Sequence, residues 1–176
     1  MTSELLKFYL TPEGMATARA ALVARFPWFL HVSEKRHLGS IRSRGLEPRN
    51  PGCPAPNEVG QNTIVCFRPM GTFNTTPNRG ELRFLVAVTG NDLTPTIGLD
   101  WSYGGCWNLA DLLHAQDPNR PPENIFCEVV RRFGSVVTYE QLSPSTLRVW
   151  TKGTNCNNPE TWPLLSETRE CDIEIF

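Results

Sequence analysis

The residue types able to do chemistry in this chain are few. The histidines are His31, His37 and His114, and the cysteines are Cys53, Cys66, Cys106, Cys127, Cys156 and Cys171. The cysteines form no CxxC pair and no Cys-His ligand spacing, so a zinc centre has no support. Cys66 and Cys127 fall inside apolar runs and read as small buried hydrophobes. No GxGxxG or Walker-type loop offers to cradle phosphate, and no GxSxG elbow presents a serine. A Cys-His nucleophile pair stays open, though no spacing recommends it. His37 falls in a charged helix and His114 at a helix end before Pro118, so both read as solvent-exposed or capping residues. His31 stands apart, in FLHVSEKRHLGSIRSRGLEPR (29–49), as the one histidine in an apolar strand directly ahead of a helix cap. Such a histidine is commonly a hydrogen-bonded core or edge residue; the elements around it make that reading less secure.

Those elements can be read in order. Thr11-Pro12-Glu13 is a cap followed by proline at the first helical position, and the helix formers after it predict a helix over 12–26. Pro27 stops it, and WFLHVS (28–33) has the aromatic and β-branched content of a short strand. Ser33 then caps a second helix, with Glu34 in its first turn and Arg42 and Arg44 in its last, as the helix dipole favours. Gly45 is the expected stop. The next stretch, 47–62, holds four prolines and two glycines and reads as a long functional loop. Strands are expected at 63–67, 82–88, 125–130, 135–140 and 147–150, with a last one at 172–176. One later helix, 107–116, is capped by Asn108 or a preceding residue. Many strands with few helices point to an α+β fold on a mainly antiparallel sheet.

The 176 residues suit one domain, 1–176, with 1–27 as an N-terminal helical extension, and bury roughly 70% of the unfolded surface without disulfides. The 17 basic and 18 acidic residues nearly cancel, so bulk charge argues for neither a nucleic-acid nor a membrane partner. Lys35, Arg36, Arg42, Arg44 and Arg49 form a local basic run that reads as the solvated face of a surface helix. No apolar run reaches membrane-spanning length, and the N-terminal residues lack the pattern of a secretory signal. A cytoplasmic protein with reduced thiols is expected.

The stretch HVSEKRHLGSIRSRGL resembles the opening of ADP-ribosyltransferase folds, and most nearly that of DNA-targeting toxins of the DarT type. The likeness rests on His31, Ser33, Leu38, Ile41, Gly45 and Leu46. IVCFRPM (64–70) is similar to the family's next strand, and SVVTYEQLSPSTL (135–147) to its closing one. The three segments occur in the family's order.

The resemblance implies a split sheet whose cleft holds NAD, as substrate, in a bent form, with His31 and Ser33 fixing ribose and nicotinamide. Arg49 and Arg68 would bind the pyrophosphate, since guanidinium meets phosphate bidentately. Phe67 or Tyr103 would stack on the nicotinamide. In the family a carboxylate on the last core strand grips a ribose hydroxyl and stabilises the cationic ribose. Here Ser135 stands at that position, beside Gly134. Glu128, read on the preceding strand, is the preferred substitute acid. Glu140 lies further along Ser135's own strand, but alternation puts it on the opposite face from Ser135.

Three functions follow. The preferred one is an NAD-dependent mono-ADP-ribosyltransferase with a degenerate acid site, acting on a nucleobase or a protein side chain. Its partners would be NAD, a nucleic-acid or protein acceptor, and a protein that neutralises the activity. The second is a catalytically silent NAD- or nucleic-acid-binding module of the same fold. The third is an interaction protein without a ligand, in which His31 is structural.

Overall fold

The computed structural model describes residues 3–50, 64–72, 82–93, 97–100 and 105–176. Helix α1 (Ser3–Leu10) precedes α2 (Pro12–Arg25), which begins where expected: the Thr11 hydroxyl accepts from the Gly14 N–H at 3.1 Å, with proline at the first turn. Strand β1 (Trp28–Glu34) leads through a single 3-10 turn (Lys35–His37) into α3 (Leu38–Arg44). Then follow β2 (Val65–Pro69), β3 (Arg83–Thr89), the short α4 (Gly90–Leu93), β4 (Ile97–Leu99), α5 (Cys106–Gln116), α6 (Pro122–Phe133), β5 (Val136–Thr138) and β6 (Arg148–Val149). The sheet has the order β4-β5-β2-β1-β3-β6, and its pairings are antiparallel.

Strand alternation divides the sheet into two packed faces. On one, Phe29, Phe67, Phe84, Val86, Ile97 and Val136 join Leu22 of α2, Leu113 of α5 and Phe126 and Val130 of α6 in the main core. On the other, Leu30, Leu85 and Ala87 pack under Trp162, with Trp28, Trp150 and Phe176 at the margin. The C-terminal third, mostly loops and 3-10 turns, covers this second face. Full burial of each large side chain contributes roughly 1.5–3 kcal/mol.

The sheet opens in its middle. β3 follows β1 from Trp28 to Glu34, whereas β2 meets β1 only at Phe29↔Pro69 and Leu30↔Arg68. Beyond that point β2 pairs with β5, from Phe67↔Val136 to Val65↔Thr138. Two isolated bridges, Leu46↔Leu142 and Arg49↔Ile64, tie the segment after α3 across the mouth of the gap.

Several sequence expectations are corrected. Residues 125–130 are helical, within α6. Pro122 at its start, Arg131 and Arg132 in its last turn and Gly134 at φ 63 as the left-handed stop are helix punctuation that outweighs a short apolar run. Ser33 does not cap α3: β1 runs on to Glu34, and His37 occupies the cap position without a side-chain bond. α5 is preceded by Gly105, with Asn108 inside the helix. Residues 172–176 form no named strand, although Phe176 exchanges both main-chain hydrogen bonds with Arg83. Cys66 is exposed, on the strand face opposite Val65 and Phe67, while Cys127 is buried as expected. His114 has a buried Nδ1 without a hydrogen-bond partner among the described residues, which is neither a capping nor a solvated role.

Candidate functional site

The gap between β1 and β2 begins at His31. Its Nδ1 lies 2.9 Å from the Cys66 carbonyl oxygen. A carbonyl only accepts, so Nδ1 carries the hydrogen and Nε2 keeps its lone pair. The ring rests against Phe67, with centroids 5.7 Å apart and planes at 54°. Burial pushes the imidazole pKa below its ordinary value, the carbonyl bond pulls it up, and nearby Arg49 pushes it down again; the net shift is downward. His31 is therefore a neutral hydrogen-bond acceptor at neutral pH.

Register identifies the main-chain groups that face the gap. In an antiparallel ladder, alternate residues turn their N–H and C=O toward opposite neighbours. The Trp28 carbonyl accepts from Met70 N–H on the β2 side, so Leu30, Val32 and Glu34 face the same way. Leu30 is opposite Arg68, but Val32 has no β2 partner among the described residues. Its N–H and C=O thus point into the opening, beside His31.

A hollow of about 270 Å³ occupies the opening. Its described walls are His31 and Ser33 of β1, His37, Ser40 and Ile41 around the start of α3, the segment from Gly45 to Asn50, and Ile64 to Cys66. The structure thus brings together His31 and Ser33 of β1 and Arg49 of the segment after α3. Gly45 makes this possible: its φ is 82, and a Cβ there would collide with the Leu142 carbonyl oxygen. A second hollow, about 320 Å³, is lined by Val32, Ser33, Glu34, His37 and Arg83, so the two meet at Ser33 and His37.

Other expected site residues lie elsewhere. Phe67 is 1% exposed in the core, so it backs His31 and has no surface on which a nicotinamide could stack. Arg68 projects from the opposite strand face, alternating with Phe67, and does not line the hollow. Tyr103, and residues 51–62 of the long loop, lie outside the described residues. Glu128 sits on α6, where one carboxylate takes hydrogen bonds from Arg131 at 2.7 and 2.9 Å and from Arg132 at 2.8 Å. Those bonds hold its pKa down to about 2, and α6 packs on the main core against α2 and α5. Ser135 is buried, and its hydroxyl donates to the buried Asp100 carboxylate at 2.5 Å.

Phe67 is opposite Val136, and Phe67 touches His31, so the even-numbered residues of β5 share His31's face. Ser135 lies on the other face with Asp100. Glu140 follows Thr138 by two residues, is exposed, and precedes by two the Leu142 that bridges Leu46 of the hollow's wall. It lies in a bend past the end of β5 and is not a lining residue of the hollow. His37, Ser40, Glu47 and Asn50 are lining residues that sequence reasoning did not single out. The helical spacing of 37, 40 and 41 was the available signal for the first two; Glu47 and Asn50 had none.

Compared with protein-family models, curated proteins and solved structures, the chain gives no match. The segments 29–46 and 64–70 line the opening, while 135–147 supplies β5, the other neighbour of β2, and no lining residue.

Proposed function

We propose that this protein is an NAD-dependent mono-ADP-ribosyltransferase that moves ADP-ribose to a nucleobase or a protein side chain. The observation that carries the reading is the opening beside His31. There a neutral imidazole acceptor and the Ser33 hydroxyl face one hollow, and beside it lie the main-chain N–H and C=O of Val32, which have no β2 partner among the described residues. A carboxamide offers one acceptor and two donors, complementary to a single residue's main-chain pair, and a ribose offers hydroxyls to Nε2 and Ser33. At about 270 Å³ the hollow suits the nicotinamide-ribose end of NAD, with Arg49 at the edge for the pyrophosphate.

Transfer breaks the bond between ribose C1′ and the nicotinamide nitrogen, whose electron pair returns to the ring and neutralises it. Positive charge then develops on the ribose and needs an anion. Neither Glu128 nor Ser135 supplies one at the hollow. Glu140, exposed in the bend between β5 and the Leu142 bridge, is the carboxylate to which we assign the role of gripping a ribose hydroxyl. A silent NAD-binding module is the second reading, favoured by the absence of Glu140 from the hollow's own wall.

Titration with NAD followed by a nicotinamide-release assay tests the proposal. Binding with release that falls in both His31→Ala and Glu140→Gln supports the transferase; binding without release supports the silent module. No binding by the folded wild-type protein refutes both.

A further inference from the structure

The two hollows adjoin at the gap. His31, Ser33 and Val65 line the first from the face of the main core, and Cys66 lines it from the other strand face. Val32, Glu34 and Arg83 line the second, and alternation along β1 and the register pair Glu34↔Arg83 place all three on the other face. His37 and Ser33 belong to both walls. The cationic ribose carbon is open to a nucleophile on the side away from the departing nicotinamide, and a second hollow that adjoins the first supplies room for one there. A neutral nucleophile must also lose a proton as it bonds.

We propose that the second hollow is the acceptor subsite, and that His37 takes the acceptor's proton. This inference rests on the transferase reading. His37 is half-buried in the 3-10 turn, its carbonyl accepts from the Ser40 hydroxyl at 2.8 Å, and its ring has no hydrogen-bond partner among the described residues. The charged groups around it are Glu34, which is ion-paired with Arg36 at 2.7 Å, Arg83, Arg49 and Glu47. The wall of the second hollow holds one carboxylate, already paired with Arg36, and one guanidinium, Arg83, so it carries no excess of either charge. The acceptor class is a neutral N–H or O–H group. In the step, its nitrogen or oxygen bonds to C1′, the C1′–nicotinamide bond breaks with its electron pair passing to the pyridinium ring, and the proton goes to a ring nitrogen of His37.

Water and azide serve as probe nucleophiles, because water must lose a proton and azide has none to lose. With wild-type protein and NAD, hydrolysis to ADP-ribose and nicotinamide is the baseline. His37→Gln should slow hydrolysis about 10²-fold, the lower end for general-base loss, with KM little changed. Added azide should restore nicotinamide release in the variant and yield ADP-ribosyl azide by mass spectrometry. Thermal unfolding of His37→Gln and His37→Ala checks that both variants are folded. Unchanged hydrolysis in the variants, or loss that azide does not restore, overturns the role of His37 and leaves the transferase reading standing. No nicotinamide release from the wild type removes the transferase reading and this inference with it.

Discussion

His31 and Glu128 show how a single side chain's surroundings decide its use. Because the folded pKa of His31 is depressed below 6.5, the unfolded chain takes up its proton first as pH falls. Its contribution to stability is therefore complete above about pH 6.5 and is lost as pH falls below it, toward the folded value. Unfolding titrations should show that loss in the wild type and a shallower one in His31→Gln. Glu128 behaves in the opposite chemical sense but has the same sign. Its contribution is present above its ordinary 4.5 and is lost as pH falls from 4.5 to about 2. Its partner arginines are half exposed, so solvent screening limits the value of the network. Glu128→Gln should cost roughly 1 kcal/mol at neutral pH, with nicotinamide release unaffected; a loss of release at unchanged stability would return Glu128 to the active site.

At the scale of elements, two glycines that end helices predict different costs. Gly134 after α6 has φ 63, and the nearest atom to an added Cβ is Thr72 Oγ1 at 3.5 Å, so there is room for a methyl group. Gly134→Ala should cost about 1 kcal/mol, the ordinary penalty for a left-handed alanine. Gly45 after α3 combines a positive φ with a collision against the Leu142 carbonyl, which is itself the acceptor for Leu46 N–H at 3.0 Å. Gly45→Ala should cost roughly 2 kcal/mol or more and also weaken NAD binding, because the bridge it breaks holds one wall of the hollow. Calorimetry and NAD titration on the two variants, side by side, would check this. Equal effects on binding would mean that the bridge does not shape the site. The elements also show why Ser33 was misread as a cap. Its polar side chain faces the opening, and the ladder with β3 continues through it to Glu34, so strand pairing overrode a local capping preference.

For the molecule as a whole, the two sheet faces predict a separation of stability from binding. Trp162 is fully buried on the face away from His31, with its Nε1 donating to the Asn155 carbonyl at 2.9 Å. Trp162→Ala should cost about 3–5 kcal/mol, yet NAD affinity measured well below the lowered Tm should stay near wild type. A large loss of affinity there would mean that the C-terminal third shapes the opening.

The sequence by itself determined α2, β1, α3, β3 and α5 within a few residues, because each carries its own cap, proline or glycine punctuation and a clear apolar pattern. It also placed His31 in a strand and held no apolar run of membrane-spanning length, and no helix among the described residues is long and apolar enough to cross a membrane. Only the tertiary structure decided the rest. Residues 125–130 hold an apolar run too short for periodicity to separate strand from helix, and packing on α2 and α5 settles it as helix. The three-residue β4 carries too little pattern to be seen without its partner β5. That Val136 shares a face with His31, leaving Ser135 on the other, depends on the register of β5 against β2, a long-range pairing that no local signal encodes. The opening exists because β2 leaves β1 after two pairs, and that divergence belongs to neither strand alone.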